Sequence, residues 1–136
     1  MLRAILAQCL LTLVVFVLMY ATRLPAMSRL KIAPQDAAHV DALAARLPSD
    51  VRRISDNYNH LHEAPTIFFA AVLAIILLGV ADATSARLAW AYVATRAAHS
   101  AVQCTVNIVT LRFAMFALSW LALGAMIVRA AAVTLV

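Results

Sequence analysis

Charge is scarce in this chain, and acid is scarcest of all. Only 12% of the 136 residues are charged, and Asp and Glu together number six. Hydrophobic residues make up 65%, and mean hydropathy is +0.93. A soluble domain of this size cannot hide so much apolar surface. Composition therefore implies an integral membrane protein with one compact domain. Cysteine is nearly absent too. Cys9 and Cys104 lie in apolar stretches outside any CxxC or metal spacing. They report nothing on redox compartment and read as small buried hydrophobes. A lipoprotein cleavage box is excluded at Leu6-Ala7-Gln8-Cys9, because Gln8 is too bulky and the run comes too early. The net charge of +5 raises nucleic acid as a partner. The basic residues fall between hydrophobic runs without a nucleic-acid motif, so they read as topology signals and anion ligands.

Four apolar runs are present, at about 4–21, 63–80, 88–111 and 113–136. Each approaches the roughly 20 residues that a membrane-spanning helix requires. The expected fold is an all-α, four-transmembrane-helix bundle forming one domain over 1–136. The first run exceeds a signal-peptide core and lacks a clear cleavage site, so it reads as a retained helix. The later links are tight, which makes the second, third and fourth helices antiparallel neighbours. The link 22–62 is long and carries Arg23, Arg29, Lys31, Arg46, Arg52 and Arg53. The positive-inside rule places it in the cytoplasm and both termini outside. Within it, 35–47 reads equally as an amphipathic surface helix, with Ala38, Leu43 and Leu47 as its edge, or as a solvated loop.

Inside the third run, Tyr92, Arg96, His99, Gln103 and Asn107 recur at steps of four, three, four and four. That is the helical period, so the five are expected on one stripe. A charged residue near the bilayer centre costs about 2.5–3.5 kcal/mol on insertion scales and normally faces other helices or a cavity. Two readings stay open: the stripe glues helices together, or it lines a ligand site.

A second polar group opens the second run. As helix, Arg52, Asp56, Asn59 and Glu63 share one face, and Arg53, Asn57 and His60 line the adjacent one. Pro65 is then an interior residue tolerated as a kink. Counting depth from the turn at about 1.5 Å per residue puts Glu63 level with Gln103, with His99 within about a turn. The expected pocket holds one carboxylate, several amides and two or more arginines, and suits a small zwitterionic or anionic ligand. His60 and His62 stand in HxH spacing on different helix faces, and no HExxH is present, so a metal site is not expected. A proton relay through Glu63 and His99 would suit a transporter. Four spans without an internal repeat argue against one in a monomer.

The run Asn57-Tyr58-Asn59-His60-Leu61-His62-Glu63-Ala64-Pro65, within Arg53 to Phe69, resembles the signature of the membrane-associated proteins in eicosanoid and glutathione metabolism, the MAPEG family. So does Ala89-Trp90-Ala91-Tyr92-Val93-Ala94-Thr95-Arg96-Ala97-Ala98-His99-Ser100, followed by Asn107 and Arg112-Phe113. The resemblance covers about 53–120 and is to the bacterial branches, which implies a bacterial inner membrane. It implies a homotrimer with glutathione as co-substrate between subunits near the cytoplasmic face. In the family an arginine stabilises the glutathione thiolate, which attacks a lipophilic electrophile or peroxide. Arg112, sixteen residues after Arg96, matches that arginine. Arg53, Asn57, Asn59, Glu63, Arg96, His99 and Gln103 match the cofactor-binding positions. Two departures stand out. Arg53-Asn57 is followed by His60 where a glutamate is usual, with Glu63 four residues after Asn59. Gln103 occupies a place where several active members carry a tyrosine.

Two functions of different class follow, with a small transporter as a third. One is a glutathione-dependent transferase or peroxidase. The other is a non-catalytic membrane protein of the same fold that binds another small anion or a membrane partner.

Overall fold

A computed structural model describes residues 1–38 and 40–135. Among them it shows five α-helices and no strand: α1 (Leu2–Arg29), α2 (Val40–Arg46), α3 (Ser49–Leu77), α4 (Ala83–Cys104) and α5 (Val109–Thr134). A 3₁₀ turn, Pro34–Ala37, precedes α2. The helices α1, α3 and α5 are each long and apolar enough to cross a membrane. The striped helix α4 is not among them. Its polar residues dilute the hydropathy of a segment that nonetheless packs among the other three.

The main core gathers Ala4 of α1, Phe68, Val72 and Ile75 of α3, Ala89, Tyr92 and Val93 of α4, and Leu123 and Met126 of α5. Phe68 and Tyr92 stack at 4.3 Å and 9°. In lipid, helix association draws on such close packing, since apolar burial alone gains little there. The outward faces carry Leu6, Leu10, Leu13, Phe113, Leu121 and Val128, all exposed. That is ordinary for a bilayer and untenable in water.

Two sharp reversals position the site. Gly79, at φ +71, closes α3 in the left-handed region that glycine enters freely. Three residues on, the Asp82 carboxylate caps α4 by accepting from the Ser85 N–H at 2.7 Å. The second reversal lies between α4 and α5. Asn107 takes φ +53, and its N–H donates to the Val102 carbonyl at 2.7 Å. Asparagine tolerates this conformation better than most residues.

These ends correct the expected boundaries. The striped helix runs from 83 to 104, not 88 to 111, and Asn107 leaves the stripe for the turn. The helix expected at 63–80 begins at Ser49 and passes through Pro65 without a break in helical structure. Proline removes one N–H donor. The neighbouring Thr66 hydroxyl donates to the His62 carbonyl at 2.6 Å. The first helix extends beyond 4–21 to Arg29, through Pro25. The end expected at 136 lies outside the described residues.

The long link is folded rather than free. Leu43 and Leu47 bury against Ile32, Ala26 of α1 and Val51 of α3. Two of the three apolar-edge residues thus face the protein's own helices, while Ala38 is exposed.

Candidate functional site

The two polar faces of α3 part company. Arg52, Asp56, Asn59 and Glu63 are all exposed. Glu63 faces outward with its side chain 73% exposed, and its partner is His60 at 3.5 Å. It is absent from the cluster it was expected to join. Arg53, Asn57 and His60 turn inward: Asn57 is fully buried, Arg53 and His60 half-buried. The register explains the change. Because α4 begins at Ala83, five residues before the assumed Leu88, Gln103 lies deeper than the count from Leu88 allowed. It meets Asn57 instead of Glu63.

Asn57 anchors a network across three elements. Its Oδ1 accepts from the Ser100 hydroxyl at 3.2 Å, and its Nδ2 donates to Cys104 Sγ at 3.4 Å. His99 Nδ1 donates to the Arg112 carbonyl at 2.9 Å, which leaves Nε2 as an acceptor. The Gln103 amide must then present its NH2 to His99, an orientation assigned from the network. So placed, it donates to His99 Nε2 at 3.0 Å and to Asn57 Oδ1 at 3.3 Å. Its oxygen accepts from Arg112 Nη2 and from the Asn57 N–H, each at 3.3 Å. Arg112 Nη1 donates to Asn107 Oδ1 at 2.7 Å.

Arg96 lies on the same side of α4 and is fully buried. It reaches α3, where Nη2 donates to the His60 carbonyl at 2.9 Å. Its guanidinium carbon lies 5.9 Å from the centre of the Phe116 ring. Its Nε and Nη1 are buried with no partner among the described residues, and so is Nε of Arg112. Neither arginine forms an ion pair among the described residues. Beside them is a cavity of about 240 Å³ lined by His60, His99, Val109, Arg112, Phe113 and Phe116. The His60 and His99 rings stand 6.4 Å apart, and His99 lies 6.2 Å from Phe116.

The structure therefore brings together Asn57, Arg96, His99, Gln103 and Arg112. Arg53 is less closely tied, with its Nε buried and without a partner. Asn59 and Glu63 stay on the exposed face. Phe116 was missed by sequence reasoning, although it stands four residues after Arg112 on the same helix face. Asn107 was noticed but assigned to the wrong element. His62 points away, bonding the Tyr58 carbonyl at 2.8 Å. Among the described residues no group of three or more His, Cys, Asp or Glu side chains is placed to hold a metal. Cys9, read as buried, is exposed, and Cys104 is half-buried.

Two cations without an ion pair among the described residues, beside an apolar-walled cavity, leave N–H donors that an anion could satisfy. In comparison with known families, the MAPEG family model matches residues 1–132. The chain belongs to the MAPEG family. Membership sets it among membrane proteins of glutathione-related transferase and peroxidase chemistry. No curated protein and no solved structure gives a significant match.

Proposed function

We propose that this MAPEG protein binds glutathione, stabilises its thiolate at Arg112 and delivers it to a lipophilic electrophile or peroxide. One observation carries the reading. Arg112 is held by amide oxygens, forms no ion pair among the described residues and lines the cavity beside Arg96, a second arginine with unpartnered donors. A free thiol is mostly protonated at neutral pH, and a neighbouring cation favours its ionised form. The guanidinium keeps its charge at any working pH, so it serves this role without risk of deprotonation. An apolar electrophile reaches the thiolate from the bilayer through the exposed Val109 and Phe113. Transfer then forms a carbon–sulfur bond as the electrophile's leaving group departs with the bonding pair.

In this reading α4 is the fourth span, sheltered by its neighbours despite its polarity. The exposed polar face Arg52, Asp56, Asn59 and Glu63 meets a second copy in a homotrimer, and Asn59 and Glu63 complete the cofactor site from there. The detergent-corrected mass of the solubilised complex should equal three subunits; a folded monomer contradicts this. The basic link faces the cytoplasm of a bacterial cell, with both termini outside. Cysteine introduced at Ala38 should resist membrane-impermeant labelling in intact cells, and labelling there reverses the topology.

Calorimetric titration with glutathione, followed by a conjugation assay with a lipophilic aryl halide, tests the function. Saturable binding with conjugate formation supports it, and the absence of both sinks it. A second reading is a non-catalytic protein of this fold that binds another small anion. It is favoured by Gln103, whose amide is spent on His99, Asn57 and Arg112 at the place where family enzymes offer a tyrosine. Binding of an anion other than glutathione, without thiolate or turnover, would select it.

A further inference from the structure

We infer that Asn107 is a positioning residue for Arg112, fixing the guanidinium from a left-handed turn while leaving its charge uncancelled. The inference rests on the glutathione reading above and names how the same site keeps its cation available.

The turn itself is the first observation. At φ +53, Asn107 occupies a conformation that branched or bulky residues resist, and its N–H closes the end of α4 on Val102. From there its side-chain oxygen meets Arg112 Nη1 at 2.7 Å, the short end of the range for N–H···O. Gln103 takes the other terminal nitrogen at 3.3 Å, and His99 holds the Arg112 carbonyl at 2.9 Å. Backbone and guanidinium are thus fixed by three side chains from α4 and its turn.

The second observation is what these partners are. Both acceptors on the guanidinium are neutral amides. An aspartate at 107 would tolerate the same turn and accept the same hydrogen bond more strongly. Backbone geometry and bond strength therefore do not account for an amide here. Charge does, because a carboxylate would form an ion pair with Arg112 and cancel most of the field a thiolate would feel. The other ionisable groups near this corner are His60, His99, Arg53, Arg96, Cys104 and Glu63. Glu63 is the acid among them; it lies against His60 at 3.5 Å with its side chain 73% exposed, and it forms no ion pair with Arg112 among the described residues.

The two explanations separate in two variants. Asn107→Gly keeps the left-handed turn and deletes the oxygen. Asn107→Asp keeps turn and oxygen and adds the charge. Glutathione affinity is read by calorimetry, and thiolate fraction by its ultraviolet band at one fixed pH with saturating glutathione. For Asn107→Gly the thiolate fraction should fall about 3- to 10-fold, the scale of one lost hydrogen bond. For Asn107→Asp it should fall roughly 10-fold or more, as a charged competitor occupies the arginine. In both, affinity should change less than thiolate fraction. Equal thiolate in wild type and Asn107→Asp would overturn the inference and leave the glutathione reading standing. A wild-type protein that forms no thiolate overturns both. Should the glycine variant fail to assemble, the aspartate variant decides, since it preserves the fold's own contacts. A purely structural Asn107 would leave Asn107→Asp with normal thiolate.

Discussion

The two ends of this bundle treat arginine in opposite ways. At the Asp82 end, Arg129 of α5 is ion-paired with Asp82, which also caps α4. Both side chains are exposed, and the pair ties the α3–α4 turn to α5. At the Arg112 end, two arginines lie within the bundle, one of them fully buried, and neither forms an ion pair among the described residues. The chain has six acidic residues; Glu63, the one on α3 that pairs with His60, has its side chain 73% exposed. Pairing serves where a charge is structural. A buried guanidinium left with orphan donors carries a desolvation cost that packing alone does not explain. On this contrast rests the proposal that the Arg112 end is the working one.

Three changes would break or sharpen this contrast, in descending order of effect. Arg112→Ala should assemble, bind glutathione and lose roughly 10- to 100-fold in conjugation rate, the scale of one charge-assisted contact. Normal turnover in an assembled variant would remove Arg112 from the chemistry and shift the role to Arg53. Arg96→Met should separate stability from binding. Removing a lone buried cation relieves its desolvation cost, so the melting temperature in detergent should rise. Glutathione affinity should drop about 10-fold with the lost contact. A fall in stability without a change in affinity would make Arg96 structural. Asp82→Asn should have the smallest effect, and none on turnover. The Ser85 N–H, and then Arg129, hold the Asp82 carboxyl down at about 2, from an ordinary 3.8. A depressed carboxyl contributes stability above its unfolded value and loses it as pH falls through the folded one. Wild type should therefore lose stability between about pH 4 and 2 more steeply than Asp82→Asn, which keeps a cap acceptor but no titratable pair. Parallel acid melts would show the pair to be idle.

The all-helical architecture was legible in the sequence, and three of the four expected spans fall on helices long and apolar enough to cross a membrane, because apolar runs and their lengths report such helices directly. The polar stripe from Tyr92 to Gln103 was legible for the same reason, as a period of 3.6 set against an apolar background. The turn at Asn107 was hidden. Val106 and Ile108 continue the apolar run, and no glycine or proline marks the reversal. Only asparagine's tolerance of positive φ hinted at it. That hidden turn moved Arg112 from a link onto the first turn of α5. The early start of α4 moved its register against α3. Both polar faces of α3 could be drawn from the sequence, but which one turned inward depended on packing against α4. Periodicity assigns residues to faces; it does not say which neighbour a face will meet.

The central claim is that an uncompensated Arg112 stabilises a glutathione thiolate, and the ultraviolet thiolate band tests it most directly. Purified protein in detergent would be titrated with glutathione at neutral pH, with S-methylglutathione as the blank that has no ionisable thiol. A saturable thiolate band with glutathione alone, in proportion to occupied sites, is the predicted result. Saturable binding with no thiolate band would contradict the account, and would leave the site as a receptor for an anion that it does not activate.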